Sequence, residues 1–226
     1  MAAWIALLRA VNVGGTGKLA MSELKAMCDE LGFASAKTYI ASGNVVFESR
    51  KSEAAIKAAL EKRLEAYAGK PVGVLVRTAA EMAQVAADNP FPKLAPNRTM
   101  AVFLDRPPPA DTLAGIRGLG GEKIRLGRRE IYIHYGDGMA ASKLVIPAAK
   151  TGTARNMNTV ATLAGMAAEF REQRLCGGAR LEPRYPGIAP LEEIGEQRRV
   201  FRAHRRFHRW PRRQRCAPAC EPRFAG

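Results

Sequence analysis

Lys37-Thr38-Tyr39-Ile40-Ala41-Ser42-Gly43-Asn44-Val45-Val46-Phe47-Glu48 is the stretch that decides the fold. It reads as two short strands, Lys37–Ala41 and Val45–Glu48, turned back on each other through Ser42-Gly43-Asn44. Gly and Asn accept the positive φ that a tight turn demands, so the turn is specified chemically. Upstream, Trp4–Val11 is an apolar strand, and Met21, Leu24, Met27, Cys28 and Leu31 recur at helical spacing before Gly32 supplies a left-handed stop. Downstream, Ile56, Leu60, Leu64 and Tyr67 mark a second amphipathic helix and Val72–Arg77 a further strand. Thr78 with Glu81 forms a capping box for a helix that must end before Pro90. Strand, helix, two hairpin strands, helix, strand is the order of the split βαββαβ fold.

Beyond Pro90-Phe91-Pro92 the order begins again. Met100–Asp105 reads as a strand and Thr112–Leu119 as a short helix. Lys123–Leu126 and Glu130–Tyr135 then make a second hairpin around Gly127-Arg128-Arg129, and a closing helix runs from about Asn158 to Phe170. Ile5–Arg9 (IALLR) echoes Val102–Arg106 (VFLDR) at the same place in the order. The expectation is an α+β body over residues 1–172, made of two ferredoxin-like lobes, about 1–90 and 91–172, with the second less complete.

The net charge of +15 divides unevenly. Residues 1–170 hold 22 Lys and Arg against 15 Asp and Glu, whereas residues 171–226 hold 14 Arg, no Lys and 6 Glu. The body's balance of +7 is an ordinary soluble surface and requires no polyanionic partner. Residues 173–226, rich in Arg, Pro and Gly without periodicity, read as a disordered tail or as the product of a shifted reading frame. No run approaches the ~18 apolar residues of a membrane span, and no signal peptide is read at the start. Cys28 stands alone in the body, away from Cys176, Cys216 and Cys220, which suits a reducing cytoplasm better than a disulfide framework.

Ile5-Ala6-Leu7-Leu8-Arg9-Ala10-Val11-Asn12-Val13-Gly14-Gly15, Met21 through Leu31, Thr38 through Phe47, Asn89-Pro90-Phe91 and Thr153-Ala154-Arg155-Asn156-Met157-Asn158-Thr159-Val160 stand in an order and spacing that identify a relative. Over about residues 2–170 the chain resembles the bacterial family labelled "domain of unknown function 1697" (DUF1697). The resemblance implies a compact α+β fold of ferredoxin-like halves and brings no activity with it. The family pattern often has Trp where this chain has Met157.

The loop Asn12-Val13-Gly14-Gly15-Thr16-Gly17-Lys18 lies between a strand and a helix, where glycine-rich loops cradle phosphate. A P-loop needs glycine where Asn12 stands and a hydroxyl where Leu19 stands. Gly15, Gly17 and Ala20 match the dinucleotide spacing, but no acid for a ribose follows Ile40-Ala41; a flexible Gly-rich turn accounts for the loop better than a nucleotide cradle does. Arg9, inside an apolar strand, must be paired, line a cleft or reach the sheet's end. If Arg9, Asn12, Ser42, Asn44, Arg155 and Asn156 converge beside Gly14, Gly15 and Lys18, they form a donor-rich pocket for an anion. Capping and turn formation are the plainer explanation for Ser42, Asn44 and Asn156, with Arg155-Asn156 read as a turn.

Candidates for catalysis are few. His134 reads as a surface imidazole, Cys28 as core, and Ser142-Lys143 lacks the Ser-x-x-Lys spacing. Cys216, Cys220, His204 and His208 match no zinc frame, so no metal and no cofactor is expected. The expectation is therefore a binding domain for a small anionic or nucleotide-like ligand. Nucleic-acid binding, by the basic body or by the Arg-rich tail with its Phe201, Phe207 and Trp210, is the alternative; an enzyme of unrecognised chemistry is a third.

Overall fold

The computed structural model describes residues 1–12 and 18–177, the last seven by backbone alone. The expected tail from residue 178 onward, and Gly14 and Gly15 of the loop, lie outside the described residues. All the described residues belong to one compact unit. The first half runs β1 (Ala2–Leu8), α1 (Met21–Glu30), β2 (Ala34–Tyr39), β3 (Asn44–Ser49), α2 (Glu53–Ala68), β4 (Val74–Thr78) and α3 (Ala79–Ala87). The second runs β5 (Thr99–Phe103), β6 (Lys123–Leu126), β7 (Glu130–His134), β8 (Thr153–Asn156) and α4 (Met157–Gly177), with a 3-10 turn at Pro147–Thr151.

The strands form two antiparallel four-stranded sheets, ordered β2-β3-β1-β4 and β6-β7-β5-β8. Both sheets follow one rule: the first strand of the half sits third in the row, between the hairpin and the fourth strand. Residue period two then sorts β1 between two cores. Trp4, Ala6 and Leu8 face α1 and α2, where Met27, Cys28, Ile56, Leu60 and Leu64 meet them. Ala3, Ile5 and Leu7 face the other way, onto Met82 and Val85 of α3, Val160, Leu163 and Phe170 of α4, and Ala101, Phe103 and Tyr132 of the second sheet. A third cluster, including Val102, Ile131, Ile133 and Ile146, fills the outer side of that sheet. Helices α3 and α4 thus share one core with the facing surfaces of both sheets.

Local chemistry sets the helix ends. Ser52 accepts the Ala55 amide at the start of α2, and Gly69, at φ 67°, closes it. Thr78 and Glu81 form the capping box of α3 in both directions. Among the described residues no helix is long and apolar enough to cross a membrane.

Five expectations need correction. The first hairpin turns over residues 40–43, with Ile40 and Gly43 at positive φ, because Asn44 already pairs with Tyr39 in the ladder. β1 stops at Leu8 rather than Val11, because Ala10 and Asn12 take positive φ. Thr112–Leu119 is a series of turns; Gly115 and Gly118 weaken a helix, and the chain instead pairs Arg117 with Val145 in an isolated bridge. Arg155 and Asn156 belong to strand β8, paired with Ala101 and Met100, rather than to a turn. His134 is buried, since β7 is an interior strand and Thr99 lies directly across the ladder, its hydroxyl 2.9 Å from His134 Nδ1.

Cys28 is wholly buried, as the helical spacing implied, and burial first, then the charge of Asp29, pushes its thiol from 9.0 up to about 12. The folded state therefore holds that proton more tightly than the unfolded chain. Its stabilising share is complete below about pH 9 and is lost as pH rises toward 12. Urea midpoints measured between pH 8 and 11 should fall more steeply for the wild type than for Cys28→Ala. Parallel slopes would contradict the assignment.

Candidate functional site

The end of β1 is held by its neighbours before it turns away. Leu8 N donates to Gly43 O and Arg9 N to Gly73 O. The following residues bear uncommon backbone, with Ala10 at φ 49° and Asn12 at φ 57°. Non-glycine residues there cost on the order of 1–3 kcal/mol and persist where surrounding structure enforces them. Asn12 is the enforcement. Its Nδ2 donates to Leu19 O at 2.9 Å and Ala41 O at 2.7 Å, and its Oδ1 accepts Leu19 N at 2.8 Å. One side chain thus closes the base of the glycine-rich loop and ties it to the β2–β3 turn.

Beneath that turn lies Arg155. Its Nε donates to Asn44 Oδ1 at 2.5 Å, Nη1 to Thr153 Oγ1 and Ala154 O, and Nη2 to the carbonyls of Leu8, Ser42 and Gly43. Among the described residues it forms no ion pair with a carboxylate; burial pulls its guanidinium down to about 10, still charged at neutral pH. Arg9 makes a second link, from Nε to Gly152 O at 3.2 Å and Nη2 to Lys150 O at 2.9 Å. The two arginines fasten the end of β1 to the second half of the chain. Gly43, at φ 77°, has no room for a methyl group, since an added Cβ lies 2.5 Å from Val11 Cγ2 and 2.9 Å from Leu8 Cβ. Gly43→Ala should lose on the order of 2 kcal/mol from left-handed strain and crowding together. An unchanged urea midpoint would contradict that packing.

Above this base opens a cleft of about 660 Å³. One wall is Arg9, Ala10, Val11, Lys18 and Leu19; the other is Leu64, Tyr67, Ala68, Lys70, Pro71 and Val72. Among the described residues it has three cations and no carboxylate in its lining. Lys18 and Lys70 are exposed and make no ion pair among the described residues. Of the residues expected to converge, Arg9 and Lys18 line the cleft and Asn12 braces its rim. Ser42, Asn44 and Arg155 gather below it with their polar groups turned on each other. Asn156 stands apart, its Oδ1 accepting Thr159 N at the start of α4.

The family model described as "Protein of unknown function (DUF1697)" matches residues 1–132, more than half the chain. The chain belongs to the DUF1697 family. Among solved structures it is similar to the conserved bacterial protein SP0830 from Streptococcus pneumoniae, with a TM-score of 0.62 and 22% identity over 74% of this chain and 98% of that one. A likeness at that identity concerns the fold alone. A search of curated proteins finds no match.

This DUF1697 chain also carries a polar seam that residue patterns did not reveal. Arg77 pairs with Ile5 across the ladder and so shares the face of Leu75, turned toward the second sheet. There its Nε and Nη2 each lie 3.2 Å from Glu130 Oε1, and Nη2 also donates to Leu104 O at 2.6 Å. Arg129 continues the network, to Glu53 Oε1 at 2.9 Å and Glu81 Oε1 at 2.6 Å. Burial, then the like charge of Arg129, holds the Arg77 guanidinium below its ordinary value, with Glu130 opposing. Burial pushes the Glu81 carboxyl up, but the Thr78 amide and hydroxyl and Arg129 outweigh it and keep it below the usual range. A 250 Å³ pocket opens here, but its Arg77, Arg128 and Arg129 face Glu81, Asp88 and Glu130, so its charge is already balanced. Tyr67 and Lys70 of the larger cleft were also missed: Tyr67 reads as one more residue of an apolar stripe, and nothing in the sequence marks Lys70.

Proposed function

We propose that this DUF1697 protein is a cytoplasmic pair of ferredoxin-like lobes that binds a small anionic or nucleotide-like ligand in the cleft between the end of β1 and the end of α2. The strand order supports the lobe reading. Each half repeats the antiparallel arrangement of a split βαββαβ unit, and the second half lacks the two helices that cross the first sheet. The single observation that carries the ligand reading is the cleft's one-signed lining, Arg9, Lys18 and Lys70 with no carboxylate among the described residues. The strained backbone at Ala10 and Asn12 points to the same place.

Nucleic-acid binding through a sheet face has less to draw on. Phe47 is buried and stacked on Phe33 at 4.4 Å, so it offers no ring to a base, and Tyr39 is half-buried against the inter-sheet core. The ligand reading is tested by thermal unfolding of the chain with phosphate, pyrophosphate or citrate. Ligand at 100 times its dissociation constant should add about 2.7 kcal/mol of stability. Lys18→Ala/Lys70→Ala should abolish the gain, and a gain of equal size in that variant would sink the reading.

A further inference from the structure

An inorganic anion needs cations and little else, yet much of this cleft is apolar. Val11, Leu19 and Leu64 are buried along its walls, and Val72 is half-buried. At about 660 Å³ it has the size of sites that enclose whole organic ligands, about 300–1,000 Å³. On its α2 wall, two residues before the Gly69 cap, stands Tyr67, 44% exposed and without a hydrogen-bond partner among the described residues. A large aromatic ring left open beside three cations that make no ion pair among the described residues suits a ligand that is charged at one end and flat at the other.

We infer, resting on the cleft reading above, that the ligand is a mononucleotide, with its phosphate drawn to Lys18 and Arg9 and its base stacked on Tyr67. Base–aromatic stacking accepts every base, because each has a π face. Tyr67 thereby sets specificity for an aromatic phosphate over a bare one. Arg9 keeps its two bonds to the Gly152 and Lys150 carbonyls and adds its charge; Lys18 is the mobile donor.

Isothermal titration of the full chain with AMP, GMP, CMP and UMP, each against ribose 5-phosphate and inorganic phosphate, tests this. At least one nucleotide should bind about tenfold or more tightly than ribose 5-phosphate. Tyr67→Ala should erase that advantage while leaving phosphate affinity unchanged, and Tyr67→Phe should keep it. Lys18→Ala/Lys70→Ala should remove nucleotide and phosphate binding together. If all four nucleotides bind no better than ribose 5-phosphate, or if the advantage survives Tyr67→Ala, the mononucleotide assignment is overturned while the anion cleft stands. If nothing binds, or binding survives the double lysine variant, both readings fall; surviving affinity then belongs elsewhere, the arginine-rich residues 171–226 included.

Discussion

Arg77→Met should destabilise the folded chain by about 3–5 kcal/mol, the cost of leaving a buried carboxylate without its partner. Arg77 is 1% exposed and Glu130 4%, so water cannot replace the lost guanidinium. The Leu104 and Arg129 carbonyls lose a donor at the same time. Glu130 keeps one bond, from Arg129 N to Oε2, which holds the loss within this range rather than beyond it. Against a total stability of about 5–15 kcal/mol for a domain, the change is large. Arg77→Met/Glu130→Leu should recover much of it, because removing both charges also removes the desolvation cost of each. Urea unfolding of the two variants measures both effects. A single-variant loss below about 1 kcal/mol would mean that Glu130 is not isolated by the substitution.

Arg155→Met should cost at least about 3 kcal/mol, for a different reason. No carboxylate is left behind. Instead, one guanidinium serves the Asn44 and Thr153 side chains and the carbonyls of Leu8, Ser42, Gly43 and Ala154; Gly43 O keeps Leu8 N and Leu8 O keeps the Thr153 hydroxyl, but every bond from the guanidinium is lost at once. Arg155→Lys should recover less than half of the loss, since an ammonium is a point donor with three protons and cannot reproduce a planar fork of five. Both substitutions should also weaken anion binding, because the Leu8 carbonyl and the Ser42–Gly43 turn are the base on which Arg9 and Val11 rest. Chemical denaturation reads the first effect and titration with pyrophosphate the second. Full rescue by lysine would show that charge alone, not the shape of the donor set, is what the turn requires.

Where hydrophobic period and turn chemistry both speak, the fold was legible. Gly43 signalled a hairpin, though its turn spans residues 40–43 and Asn44 already pairs with Tyr39 in the ladder; Thr78 with Glu81 fixed a helix start, and Cys28 fell on a buried stripe as its spacing required. β8 was not legible, because Thr153-Ala154-Arg155-Asn156 is four residues of mixed polarity with no alternation to read; its strand character comes from pairing with β5, about fifty residues earlier. Thr112–Leu119 misled because three apolar residues at near-helical spacing outweighed Gly115 and Gly118 in the reading. Arg9 did signal itself, as a charge closing an apolar run, and it stands just past β1 in the lining of the cleft. Arg77 sent the same kind of signal at the end of β4, but its meaning depends on Glu130, 53 positions away. Spacing along the chain cannot encode such a pair. The cleft's opposite wall was hidden likewise, since Tyr67 and Lys70 come to line it only when α2 folds back beside the end of β1.

The most direct test of the cleft is the affinity of pyrophosphate for the full chain and for Lys18→Ala/Lys70→Ala, titrated at low and at physiological salt. Binding that is lost in the variant, and that weakens in the wild type as salt rises, is the predicted result. Equal affinity in the two proteins would contradict it and place the anion outside the cleft.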